Sequence, residues 1–349
     1  MHSVMSKRKK IAFWFSIVTL LAAGAGGWWF WDSYYKPNVD LHGKRSEFLY
    51  VRTGWTMTEL EGYLVDQKII KDENSFREIA KLKKFTEIKP GRYRLRDGMS
   101  NRELVNMLRA GLQEPVDFTF NGIRTKEQLV SRVSRKIEAD SAALFYMLND
   151  NTFLSSYGFT NHTVMTMFIP DTYEMNWNTS AEQFMERMAK EYKAFWTEER
   201  KAKCKITTLT QSQAVILASI VQGEQTRDNE EKKIIAGLYL NRLRIKMPLQ
   251  SDPTLIFALG DFTVRRVLNG DKEIDSPYNT YLHTGLPPGP ISIPDISSVD
   301  AVLNFKKTNY LYMCAEYGTG HHNFTKDYNE HLKNAKAFQD ALNKANINR

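Results

Sequence analysis

Between Ile11 and Trp31 the chain runs 21 residues without a charge, directly after Lys7-Arg8-Lys9-Lys10. As a helix that run is about 30 Å long, the thickness of a bilayer's hydrocarbon core. Basic residues flank its N-terminal side and Asp32 its other side, a bias that keeps the N-terminus in the cytoplasm. Trp28, Trp29, Trp31, Tyr34 and Tyr35 suit the far interface as an aromatic belt. The small residues Leu21-Ala22-Ala23-Gly24-Ala25 also fit a cleavable signal, but the apolar run continues to Trp31, longer than a usual signal core. The reading is an uncleaved anchor over 11–31 behind a cytoplasmic tail, 1–10. On either reading the bulk of the protein lies outside the cytoplasm.

The anchor also accounts for much of the charge. Four basic residues of the net +8 precede it, leaving 44 basic against 40 acidic groups. With no basic stripe interleaved with aromatics, the sequence gives no case for nucleic acid. Cys204 and Cys314 are far enough apart in sequence to pair, or to stay reduced and buried, in an oxidising compartment. No Cys/His cluster has ligand spacing, and adjacent His321-His322 do not place both rings on one metal by helical spacing, so no metal is expected. About 310 residues beyond the anchor suffice for two cores.

After a linker, 32–45, a strand–turn–helix pattern recurs three times. Phe48-Leu49-Tyr50-Val51-Arg52 precedes Gly54, Thr56, Leu60 and Leu64. Gly91-Arg92-Tyr93-Arg94-Leu95 precedes Gly98, Ser100, Leu104 and Leu108. Val116-Asp117-Phe118-Thr119-Phe120 precedes Gly122, Thr125, Leu129 and Val133. Each is a short strand, a glycine turn and a Ser/Thr-capped amphipathic helix. A further helix over 75–84 makes the first two units a βααβ arrangement, the plan of a LysM module, and 46–140 is read as a LysM-like domain. Residues 141–206 read as a helical connector, broken by Phe168-Ile169-Pro170-Asp171-Thr172-Tyr173.

The remainder, 207–349, holds the least ordinary sequence. In Leu217-Ala218-Ser219-Ile220-Val221-Gln222-Gly223-Glu224 the glutamate lies three, four and seven residues after Val221, Ile220 and Leu217, on the same helical face. An acid in register with a buried stripe is desolvated and its pKa rises, which suits a proton donor near neutrality. The alternative is a solvated last-turn residue, frayed by Gly223. A second helix follows over 230–245, then Leu249-Gln250-Ser251-Asp252-Pro253-Thr254, then Ser276-Pro277-Tyr278-Asn279-Thr280-Tyr281. Gly285-Leu286-Pro287-Pro288-Gly289-Pro290 cannot be a regular helix or a central strand. Tyr310 to Cys314 reads as a strand, Gly318 to Phe324 as a polar turn, and a long helix begins at Tyr328.

These blocks together resemble the endolytic murein transglycosylases of the MltG/YceG-like family. The likeness rests on Leu-Ala-Ser-Ile-Val before Glu224, Asn241-Arg242-Leu243, Leu249 to Thr254, Tyr278 to Tyr281, Gly285 to Gly289 and His322-x-Phe324. It implies an α+β protein: one transmembrane helix, a LysM-like βααβ module and a mixed α/β catalytic domain with a Glu-bearing helix. It implies an enzyme of the bacterial inner membrane, its catalytic domain on the periplasmic face, cutting peptidoglycan strands between MurNAc and GlcNAc beside the synthases that make them. Glu224 takes the role of sole catalytic acid. Where the family commonly has Val-Glu-x-Glu, this chain has Val221-Gln222-Gly223-Glu224, which leaves Glu224 as the one carboxylic acid of the pair.

Glycosidases ordinarily pair two carboxylates. In a lytic transglycosylase the C6 hydroxyl of MurNAc attacks its own C1, so one acid suffices and no cofactor is required. Gln250, Asn279 and Asn323 offer donors and acceptors for sugar groups, and Tyr278 and Tyr281 can stack on a ring or sit in the core with bonded hydroxyls. His322 can bond the acid or a substrate carboxylate. Asp252 can organise its turn, orient Gln250 or touch substrate, while Asp228 suits a helix cap. Two other readings stay open: a glycan-binding scaffold with a dead C-terminal domain, and a muramidase-type hydrolase using Asp228 or Asp252 as base.

Overall fold

The apolar run folds as one helix, α1 (Lys7–Tyr35), in a computed structural model that describes residues 7–120 and 122–345. The first six residues of the expected cytoplasmic tail and the last four of the chain lie outside the described residues. Within α1, Lys10–Tyr35 is long and apolar enough to cross a membrane, and its most apolar stretch is not buried by protein. The chain divides into two units, one comprising residues up to Val116 with Glu174–Thr179, the other Asp117–Tyr173 with the chain from Ser180 onward.

In the first unit, β1 (Ser46–Val51), α2 (Met57–Asp66), α3 (Glu73–Leu82) and β2 (Gly91–Arg96) follow one another, with α4 (Asn101–Ala110) next. The two strands pair antiparallel, Ser46 opposite Arg96 and Val51 opposite Gly91. Thr56 and Ser100 start α2 and α4 as capping boxes with Glu59 and Glu103, satisfying helix-end amides that would otherwise lack partners. Leu49, Val51, Leu60, Leu64, Phe76, Tyr93 and Leu104 fill the core. Residues 32–45, expected as a linker, are built into this unit. The first four finish α1, Val39 and Leu41 are buried at 0% and 2% exposure, and the Asn38 amide donates to Asn101 Oδ1 (2.7 Å) and the Asp72 carbonyl (2.9 Å). The cause is a short polar–apolar alternation, Asn38-Val39-Asp40-Leu41, that pairs with the unit through single bridges.

β3 (Val116–Thr119) carries the chain into the second unit, followed by α5 (Lys126–Ser134), α6 (Ser141–Met147), α7 (Asn151–Ser155) and β4 (Thr172–Met175), whose last two residues count with the first unit. The third strand–helix copy therefore belongs here and not with the first two. Its strand end joins an aromatic cluster in which the rings of Phe118 and Phe120 meet Phe184, and Phe120 also meets Phe168 and Tyr173. The presumed connector thus supplies core. Then come α8 (Ala181–Phe195), α9 (Glu198–Thr207), α10 (Gln211–Glu224), α11 (Asn229–Arg244), α12 (Asp252–Leu259) and α13 (Ile296–Leu303). They are followed by β5 (Tyr312–Ala315), β6 (His322–Thr325) and α14 (Tyr328–Lys344). Every residue of α10 from Ala214 to Val221 is buried, and α9, α11, α12 and α13 pack around it. Residues 322–325, expected within a turn, pair with β5, Asn323 opposite Cys314. Cys204 and Cys314 are both unpaired thiols.

Candidate active site

A helix buried on all sides can present a polar group only at its ends, and Glu224 is the last residue of α10. There the helix's unpaired carbonyls disfavour negative charge. One oxygen of the carboxyl is fixed: Oε1 accepts from the Ser251 hydroxyl at 2.6 Å and the Tyr239 hydroxyl at 2.7 Å. Oε2 has no hydrogen-bond partner among the described residues, and the side chain is half-buried. Burial raises the carboxyl above its ordinary range, and nearby Asp252 adds to the rise. The two hydroxyls and His322 oppose it without reversing it. The result is a carboxyl shifted toward its protonated form, with one oxygen held by two hydroxyls and the other unbonded among the described residues.

Gly223 makes this arrangement possible. A Cβ there would lie 2.6 Å from Pro253 Cβ, so only glycine lets the end of α10 close against the start of α12 and bring Ser251 onto Glu224. Gln222, where the family commonly has the first glutamate, faces the other way. Its Oε1 accepts from the Asp295 amide (2.6 Å) and the Ser298 hydroxyl (3.0 Å).

Ser251 is itself held by the block from Tyr278 to Tyr281. The Ser251 amide donates to Thr280 Oγ1 (3.0 Å), the Gln250 amide donates to the Thr280 carbonyl (3.0 Å), and Thr280 Oγ1 pairs with Thr254 Oγ1 at 2.8 Å. Asn279 is completely buried. Its amide donates to the Lys272 and Ile274 carbonyls and its Oδ1 accepts from the Tyr281 amide, each at 2.9 Å. It therefore organises the loop and presents nothing to solvent. Tyr278 packs on the core with its ring centroid 4.7 Å from that of Phe257. Tyr281 donates its hydroxyl to Asp252 Oδ1 at 2.5 Å. Asp252 itself is exposed, and crowding by its neighbours raises its carboxyl.

Gln250 is exposed with φ +51°, a left-handed conformation that turns the chain sharply into Ser251. Behind it lies Arg242, 4% exposed. Its guanidinium donates to the carbonyls of Leu311 (2.6 Å), Leu249 (2.7 Å) and Pro248 (3.1 Å) and to Gln250 Oε1 (3.3 Å). One buried cation thereby ties the 248–250 loop to the start of β5.

His322 does not bond the acid. Its amide and its Nδ1 both meet Glu231 Oε1, at 3.0 and 2.6 Å, and His321 Nδ1 meets Glu231 Oε2. Burial works to raise Glu231, but the two imidazoles outweigh it and hold the carboxyl below its ordinary value. Asp228 caps α11, its Oδ1 accepting from the Glu230 and Glu231 amides (2.8 and 3.2 Å). Asp228, Glu231 and His321 present ligand-type atoms within 4.8 Å of one another, a grouping not legible in their spacing. Asn323 is exposed on β6.

Sequence reasoning passed over Tyr239, Ser251, Arg242 and Glu231. The signal available for Tyr239 was a phenol in the middle of a core helix, which requires a partner for its hydroxyl. For Arg242 it was a cation on an otherwise apolar stretch.

Comparison with known proteins identifies the family. Residues 49–337 match the YceG-like family. The chain belongs to that family. A relative from Bacillus subtilis (strain 168), named endolytic murein transglycosylase, is 30% identical over 324 residues, spanning 87% of this chain and 88% of its own. One of the same name from Streptococcus pneumoniae is 26% identical over 360 residues, covering 93% of this chain, which spans 64% of that longer protein. A crystal structure of a yceG-like protein from Listeria monocytogenes superposes with a TM-score of 0.55 at 29% identity, covering 83% of this chain and 99% of that one. The architecture is thus the mixed α/β fold of the YceG-like family, with one apolar N-terminal helix.

Proposed function

We propose that this YceG-like chain is a membrane-anchored lytic transglycosylase that cuts the MurNAc–GlcNAc bond within nascent peptidoglycan strands and leaves 1,6-anhydroMurNAc ends. The observation that carries the reading is the geometry of Glu224, a carboxyl at the end of a buried helix with Oε1 fixed by Ser251 and Tyr239 and Oε2 unbonded among the described residues, its pKa raised by burial. The Oε2 proton passes to the glycosidic oxygen as the bond to C1 breaks. The resulting carboxylate then accepts the proton of the C6 hydroxyl as that oxygen closes on C1, and the acid is regenerated. Ser251 and Tyr239 hold the carboxyl in place through both steps and stabilise its charged form between them.

Gln250, Asp252, Tyr281 and Asn323 are the candidate sugar contacts, and His322 with Glu231 shapes the edge of the site. The βααβ unit acts as a LysM-like glycan-holding module, and α1 tethers the enzyme beside the synthases on the outer face of the inner membrane. Asp252, exposed and close enough to influence Glu224, supports a second reading in which it activates water as in a hydrolase. Mass spectrometry of uncrosslinked strands incubated with the wild type and with Glu224→Gln tests both. Anhydro ends made only by the wild type are expected. Reducing ends would favour the hydrolase, and cutting by the variant would remove Glu224 from the chemistry.

A further inference from the structure

Ser219, Gln222 and Gly223 lie on one side of the end of α10, turned roughly 100° to 160° around the axis from Glu224, and Thr226 follows just beyond the helix. That face borders a cavity of about 230 Å³. Its other walls are chiefly apolar: Ile256, Phe257 and Phe262 beside α12, with Ile291 and Ile293 opposite. Arg124 also lines it, its guanidinium lying over the Phe262 ring 4.5 Å from the centroid. No carboxylate pairs with this guanidinium among the described residues.

A sugar ring needs polar partners around its hydroxyls, and walls of isoleucine and phenylalanine do not supply them. They suit a small aliphatic group. A planar guanidinium at the cavity, lacking an acidic partner, suits a carboxylate. The site also lies off the face that carries the acid, so a strand running past Glu224 reaches it through a branch of the polymer.

We propose that this cavity receives the peptide stem of the strand, seating an aliphatic residue against Ile256, Phe262 and Ile291 with a stem carboxylate on Arg124. The inference rests on the transglycosylase reading and deepens it: the preferred substrate is a strand that still carries its stems.

The test uses full-length protein in detergent, with uncrosslinked strands and with the same strands stripped of stems by an amidase. Wild type is expected to cut stem-bearing strands with roughly tenfold or greater kcat/KM, expressed mainly in KM. Arg124→Gln should collapse that ratio toward one, and Arg124→Lys should restore part of it. Equal cutting of both substrates by the wild type, or a ratio unchanged in Arg124→Gln, would overturn the proposal. Binding of a fluorescent stem tetrapeptide with a free C-terminal carboxylate gives an independent readout. If no strand is cut, the transglycosylase reading fails, while tetrapeptide binding weakened by Arg124→Gln still upholds the cavity's role. Absence of that binding, or binding indifferent to Arg124, overturns it.

Discussion

At the scale of single residues the proposed chemistry turns on the balance at Glu224. Burial, the end of α10 and Asp252 favour the protonated form, and the Ser251 and Tyr239 hydroxyls favour the charged one. Activity that needs the acid protonated should fall as pH rises through its pKa, which lies above the ordinary carboxylate range. Ser251→Ala removes a stabiliser of the anion and should therefore move the alkaline limb of the kcat/KM profile to higher pH. It should also lower the plateau roughly tenfold, because the carboxyl is less well oriented. Glu224→Gln should lower kcat by about 10²–10⁴-fold. The same substitution makes a stability prediction of fixed sign. A group whose folded pKa is raised contributes most below its unfolded pKa and loses that contribution as pH climbs through the folded value. Glu224→Gln should therefore melt above the wild type at neutral and alkaline pH, with the gap closing as pH falls below the range where carboxylates ionise. A gap that widened on acidification would mean that the native state prefers the carboxylate.

At the scale of elements, the site is a crossing between the end of α10 and the start of α12, set by one missing side chain. Gly223→Ala places a Cβ 2.6 Å from Pro253 Cβ, with a proline ring that cannot swing aside. The helices must part, at a cost of about 1–3 kcal/mol, and Ser251 is drawn away from Glu224. Denaturant melts and kcat measured together should both decline, and an unchanged kcat would show that the contact can relax without moving the acid. This crossing also marks where sequence legibility ended. The Glu224 register could be read because a 3.6-residue period is local, and the cap of α11 could be read because Asp228 stands just before its helix. Tyr239 and Ser251, 15 and 27 residues from the acid, meet it only through packing, which no local period encodes. Asn279 offered the right groups for a sugar, but they are consumed by the carbonyls of its own loop. Val39 and Leu41 fall in a stretch read as a linker because two apolar residues are too few to declare a strand. The strand–helix pattern is readable three times over, yet its third copy goes to the other unit, since the partners of Phe118 and Phe120 lie 48 residues and more along the chain.

At the scale of the whole molecule, α1 has two different parts. Its apolar stretch is not covered by protein, while Ser33 near its end is 5% exposed and its carbonyl accepts from the Asn101 amide at 2.9 Å. A helix whose middle has no protein partner and whose end is fixed to a folded unit is suited to hold that unit close to a bilayer. On the proposed topology, Lys7 to Lys10 favour the cytoplasmic side and the chain after Tyr35 faces outward. Protease added to intact spheroplasts should digest the chain beyond α1 and leave a short N-terminal fragment protected. Replacing Lys7, Arg8, Lys9 and Lys10 by glutamine, with lysine in place of Asp32 and Tyr35, should weaken or invert that pattern. If the large part is protected in the wild type while an internal cytoplasmic marker stays intact, the outward topology is wrong. The strands such an enzyme cuts are built on the outer face, so that result would remove the enzyme from its substrate.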